Sequence, residues 1–144
     1  MVKRDDKMGR FHVAIEVAND TDLVLARRGS MPPDQVRKTV IQGLVDTGAT
    51  RLVLPESTAR QLGLEAPGTI KVQYADGRVA ERSLAERVHV RLGERESIFN
   101  AVVEPDRDTA LIGAIVLEDL DLVVDCTHQR LVPRDPNQII SEIE

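Results

Sequence analysis

Apolar residues recur at every second position through much of the chain. Phe11, Val13, Ile15 and Val17 alternate with His12, Ala14 and Glu16, the pattern of a strand with one buried face. Asn19-Asp20-Thr21-Asp22 supplies turn residues, and Leu23-Val24-Leu25 reads as the start of a second strand. Gly29, Ser30, Pro32 and Pro33 mark a loop from Arg27 to Asp34, after which Val36 to Val45 reads as a strand ending at Asp46-Thr47-Gly48-Ala49. Pro55 to Leu62 predicts a short helix, with proline suited to its first turn and Gly63 able to close it.

Alternation resumes at Ile70, Val72 and Tyr74 and stops at Asp76-Gly77, a strong dipeptide signal for a tight hairpin, with Val79 opening the return strand. Val88, Val90 and Leu92 form a separate alternating run, Gly93-Glu94 a turn, and Ile98 to Val103 a further strand. Ala114 to Asp119 reads as a second short helix, and Leu122 to Asp125 with Arg130 to Val132 as a closing hairpin. Short strands separated by frequent turns predict a mostly-β barrel or sandwich carrying one or two short helices. No internal repeat interrupts this pattern. The expected organisation is an N-terminal arm over residues 1–10, one domain over 11–135 and a polar tail over 136–144.

Composition narrows the function classes. At 144 residues the chain suits one domain, and 30% charged with 42% hydrophobic residues is the balance of a folded protein. The net charge of −5 argues against a nucleic-acid or anionic-membrane surface, and Phe11, Tyr74 and Phe99 are too few for a base-stacking platform. Cys126 is the lone cysteine, read as a small buried hydrophobe, and His12, His89 and His128 are not spaced as ligand pairs. Neither a metal nor another cofactor is expected. The charged start, Met1 to Lys7, leads into no apolar stretch, and Ala110 to Leu117 is far shorter than a membrane span, so a cytoplasmic location is expected.

The stretch that carries chemistry is Gly43-Leu44-Val45-Asp46-Thr47-Gly48-Ala49-Thr50. An apolar strand delivers a carboxylate into a turn of small residues. There Thr47 can bond backbone groups, and Gly48 permits a positive φ or a close backbone approach. A carboxyl group held at the edge of an apolar core with little bulk over it is placed to react. The same tripeptide also occurs as an ordinary turn whose aspartate bonds its own backbone. Its setting adds weight: an apolar-apolar-Gly triplet, Leu111-Ile112-Gly113, follows later in the chain, although that triplet also fits a plain core strand.

With these residues the chain resembles the retropepsin-like aspartic peptidases, especially their small bacterial members, over roughly Val36 to Arg134. The resemblance rests on Leu44 to Ala49, on Leu52-Val53-Leu54-Pro55 with the helix after it, on the central hairpin, and on Leu111-Ile112-Gly113 with its helix. It implies a closed acid-protease β-barrel, a catalytic Asp46, and Thr47, Gly48 and Ala49 supporting the catalytic loop. It also implies that Leu111, Ile112 and Gly113 brace that loop, and that Tyr74, Ala75, Asp76, Gly77 and Arg78 form a flap over substrate. The match departs from the family pattern in two places. Ala114-Ile115 follows the triplet where relatives often carry Arg, Asn or Met-Asp, and the proposed flap tip is more polar than the Gly-rich flap of viral members.

Asp-Thr-Gly occurs once. Aspartic-peptidase chemistry uses two carboxyl groups a hydrogen bond apart that share one proton around a water, because neighbouring like charges cannot both ionise. One motif per chain therefore implies a homodimer with Asp46 meeting its own copy across a two-fold axis. The substrate would be an extended peptide between the subunits. Val2 to Val17 and Leu131 to Ile143 are the candidate dimer strands. The alternative is a catalytically weak or inactive module of the same fold that dimerises or binds peptides. Asp125 reads as the end of a strand at a turn rather than as a second catalytic acid, and Tyr74 as a strand residue packing on a neighbour.

Overall fold

Alternation over Phe11 to Val17 becomes β1 (Arg10–Asn19), which buries Phe11, Ile15 and Val17. The computed structural model describes residues 10–144; the arm expected over residues 1–10 lies, apart from Arg10, outside them, as do the first residues of the candidate dimer strand Val2 to Val17. After β1 the chain forms α1 (Asp20–Arg27), a 3-10 turn (Pro33–Gln35), β2 (Lys38–Asp46), β3 (Leu52–Pro55) and α2 (Glu56–Gln61). There follow β4 (Gly68–Gln73), β5 (Val79–Leu92), β6 (Arg95–Glu104), β7 (Ala110–Ile112), α3 (Ala114–Asp119), β8 (Leu122–Asp125) and β9 (Arg130–Pro133).

Six strands close into a barrel in the order β1-β2-β7-β3-β6-β5, sealed by antiparallel pairing of β1 with β5 at Glu16↔Arg91 and Val17↔Val90. Closure removes the free edges that an open sheet would present. β4 lies outside the ring, paired only with β5, and projects with it as a hairpin. β8 and β9 form a separate two-stranded sheet. The barrel is filled by Ile15, Val17, Leu52, Leu54, Ile112 and Leu120, all almost fully buried. Among the described residues no helix is long and apolar enough to cross a membrane.

Three expectations are corrected. Leu23-Val24-Leu25 is helical, not a strand, so the helices number three among the described residues. Asn19 Oδ1 accepts the Asp22 amide at 3.0 Å, Asp20 and Asp22 occupy the first turn and Arg27 the last, so capping and the helix dipole outweigh a three-residue β-prone run. Val79 and Val88 belong to one strand, not two. A bulge between Ala85 and Val88, with Arg87 at φ 59°, bends β5 so that one half serves the projecting hairpin and the other the barrel. Cys126 is exposed in the turn between β8 and β9 rather than buried. The tail after Pro136 contains no strand, yet it is tied down: Arg134 Nη2 donates to Ile140 O at 3.1 Å and the Ile140 amide to Asp121 Oδ2 at 3.1 Å.

Candidate active site

Asp46 is the last residue of β2, one position beyond the fully buried Val45, so its carboxylate leaves the apolar interior at the boundary with solvent. Its side chain is 23% exposed. Oδ1 accepts the Gly48 amide at 2.9 Å and the main-chain oxygen accepts the Ala49 amide at 3.1 Å, so the carboxylate is held by the turn it introduces. Gly48 does not use a positive φ; its contribution is closeness, since a Cβ there would stand 3.3 Å from Asp46 Oδ1. Thr47 is exposed, and its hydroxyl makes no hydrogen bond among the described residues, so the backbone bonding expected of it is done by Asp46. Arg10, directly opposite Asp46 on β1, brings Nη2 to 3.5 Å from Asp46 Oδ2.

The loop is braced from below by the apolar-apolar-Gly strand. β7 runs parallel to β2, with Leu111 beside Leu44 and Ile112 beside Val45. Immediately after it, the Ala114 amide donates to Ala49 O at 2.8 Å and the Ile115 amide to Thr50 O at 2.9 Å. The backbones meet so closely that a Cβ on Gly113 would lie 2.5 Å from Arg51 O and 2.8 Å from Ala49 O. Only glycine fits, although its own backbone, at φ −90°, is available to any residue. Ile112 is fully buried under Gly43, while Leu111 turns outward to line a cleft.

That cleft, of about 590 Å³, separates the Gly48-Ala49-Thr50 segment from the β4–β5 hairpin. Asp46 itself stands beside it rather than among its lining. The hairpin loop has five residues, Tyr74 to Arg78, instead of the two that Asp76-Gly77 suggested. The Gly77 amide bonds Tyr74 O at 2.9 Å, and Gly77 adopts φ 90°, a conformation that favours glycine. Asp76 accepts the Arg78 amide at 3.0 Å and Arg78 Nε at 2.8 Å, and these bonds hold its carboxyl below the usual range. Ala75, Asp76 and Gly77 do not line the cleft, whereas Tyr74 and Arg78 do.

Sequence reasoning missed the residues that pin this hairpin. Glu104, buried at the end of β6, accepts the Tyr74 hydroxyl at 2.5 Å and Arg82 Nε at 3.0 Å. The bond to Glu104, with desolvation, pushes the Tyr74 hydroxyl above its ordinary value, and the same carboxylate raises Arg82. Tyr74 therefore remains a donor at neutral pH. Arg78 also lies over the Tyr74 ring, 5.0 Å from its centre. The available signal was Arg82, a charge facing Ile70 across the hairpin on the side of the otherwise apolar Ile70 and Val72. Asp125 ends β8 at a turn, bonded to His128 and Arg130, away from Asp46. No group of acidic, histidine and cysteine side chains suited to a metal occurs among the described residues.

A family model described as aspartyl protease matches residues 35–116, which span β2, the Asp-Thr-Gly loop, the projecting hairpin and the brace. The chain belongs to the retropepsin-like aspartyl protease family. Comparison with curated proteins finds no match.

Proposed function

We propose that the protein is a homodimeric aspartic endopeptidase in which Asp46 of each chain forms the catalytic dyad. The observation that carries this reading is Asp46 itself, fixed by the Gly48 amide and braced through Gly113 beside a cleft lined by the β4–β5 hairpin. Among the described residues no carboxyl group of the same chain is hydrogen-bonded to it, so a second acid has to come from a second chain. Thr47 and Gly48 beside it are both exposed, which leaves this turn open to a second copy.

In the dimer the two carboxyl groups share one proton. The ionised one takes a proton from water as the oxygen adds to the scissile carbonyl carbon, and the protonated one donates to the carbonyl oxygen. Collapse of the tetrahedral intermediate passes a proton to the leaving amine. Peptide lies extended in the cleft, and Tyr74 to Arg78 act as the flap that excludes water. The reaction calls on no cofactor. The reading places the enzyme in the cytoplasm, where a lone thiol such as Cys126 stays reduced.

One observation favours the non-hydrolytic module. Arg10 already stands as an ion-pair partner of Asp46, with its Nη2 3.5 Å from Asp46 Oδ2. Cleavage of a peptide library at mildly acidic pH, blocked by pepstatin, separates the two readings. Asp46→Asn is expected to abolish turnover while leaving dimer mass and thermal midpoint unchanged; turnover retained in that variant removes Asp46 from catalysis.

A further inference from the structure

Charge is distributed unevenly over this protein. The chain carries a net charge of −5, yet the cleft is lined by Arg51, Lys71, Arg78, Arg82 and Arg107 against Glu104 and Asp106. Two of these arginines are already matched, Arg78 by Asp76 at 2.8 Å and Arg82 by Glu104 at 3.0 Å. Glu104 is engaged by Arg82 on one oxygen and by the Tyr74 hydroxyl on the other, and among the described residues its ion pair is with Arg82, not with Arg51 or Arg107. Arg51 and Arg107 form no ion pair among the described residues, and the Arg51 guanidinium makes no hydrogen bond to any of them.

Arg107 is the more informative of the two. Its Nε donates to Thr109 O at 3.0 Å, and its Nη2 donates to Thr109 Oγ1 at 3.2 Å and to Ala110 O at 3.5 Å. These acceptors are neutral. They fix the guanidinium in place without cancelling its charge, and they leave Nη1 without a partner among the described residues. The remaining walls include Ile70, Val72, Val102 and Leu111, which lower the local dielectric and strengthen any charge-assisted bond. A rigid, half-buried guanidinium with its Nη1 donors open and no ion-pair partner among the described residues, set in a part-apolar cleft, can receive a carboxylate. Arg51, on the same face of the chain as the cleft-lining Val53, adds to the positive potential.

We infer that the cleft selects peptides bearing a glutamate or aspartate side chain beside the scissile bond, with Arg107 as the main recognition residue and Arg51 as the second. This specificity rests on the cleft being the substrate site of the peptidase proposed above. It operates only while the substrate carboxyl is ionised, above about pH 4 for an ordinary glutamate.

Matched peptides differing only in Glu or Gln at each position around the cleavage site, assayed on the intact protein at pH 5.5 or so, test it. Glu is expected to raise kcat/KM about tenfold or more at one position, the scale of one charge-assisted bond. The advantage should shrink in high salt. Arg107→Gln should bring the Glu-to-Gln ratio close to one, and Arg107→Lys should restore part of it. Arg51→Gln, which breaks no hydrogen bond among the described residues, should lower the ratio even if the Arg107 variant folds poorly.

Binding of the same peptides, read by fluorescence anisotropy, separates this inference from the catalytic one. Preferential binding of Glu peptides without any cleavage supports acid recognition and overturns the peptidase reading. Cleavage with no Glu preference, a preference that survives both arginine substitutions, or no binding and no cleavage of any Glu peptide overturns the inference.

Discussion

At Gly113 a methyl group would press into the backbone of Ala49, Thr50 and Arg51, so the turn that carries Asp46 keeps its position only while that residue has no side chain. Gly113→Ala is expected to lower stability by about 1–3 kcal/mol through overpacking. It should lower kcat/KM on the order of a hundredfold, because misplacement of the reacting group is costly. Thermal denaturation and steady-state kinetics on one preparation check both effects, and an unaffected rate would show that the brace does not position Asp46. Tyr74→Phe tests the other side of the cleft. It leaves Glu104 bonded to Arg82 alone, and a cost of about 1–2 kcal/mol is expected. Amide exchange over residues 70–80 should quicken, with KM rising more than kcat falls. Asp46 and Gly113 were legible in the sequence because their neighbours form short apolar-to-small motifs. Glu104 was not, since its partners lie 30 and 22 residues away along the chain.

Elements were legible where local chemistry and tertiary packing agree. β1, α3 and the β8–β9 hairpin lie where alternation and turn residues place them. α1 was misread because the cap that creates it belongs to Asn19, which also reaches across to Leu62 O at 2.9 Å. Asp22 then accepts the Arg37 amide and guanidinium, which hold its carboxyl below the ordinary range. Long-range bonds thus reinforce a helix that its local cap and end charges begin. In the β8–β9 hairpin, the His128 side chain, then its backbone amide, and Arg130 lower the Asp125 carboxyl from 3.8 to about 2. A carboxyl depressed in the folded state contributes stability in full above its unfolded value, and loses that contribution as pH falls towards the folded one. Exchange protection of the hairpin amides is therefore expected to drop between about pH 4 and pH 2. Asp125→Asn should be less protected at neutral pH and flat across that interval, as two-dimensional NMR at stepped pH would show.

For the whole molecule, closure is the decisive event. β1 meets β5 some seventy residues later in the chain, and without that pairing the ring would be an open sheet with bare edges. With one Asp46 per chain, the proposed activity makes assembly a condition of catalysis. Specific activity is then expected to fall on dilution, with the rate approaching second order in protein below the dimer dissociation constant. Mixing with Asp46→Asn protein should suppress the wild type by forming mixed dimers. Kinetics across a dilution series, paired with sedimentation velocity, check both; a rate strictly first order in a monomeric protein would refute the shared dyad.

The amino-acid sequence alone determined the mostly-β character, the Asp46 turn with its glycine, and the triplet that supports it, because each depends on residues adjacent in the chain. Tertiary structure decided the rest: the closing of the barrel, the joining of two apolar runs into β5, the Tyr74–Glu104–Arg82 latch and the basic lining of the cleft. Those features arise from side chains brought together by strand pairing between distant segments. Periodicity records which face a residue turns towards the core, and only folding determines which other residue it meets there.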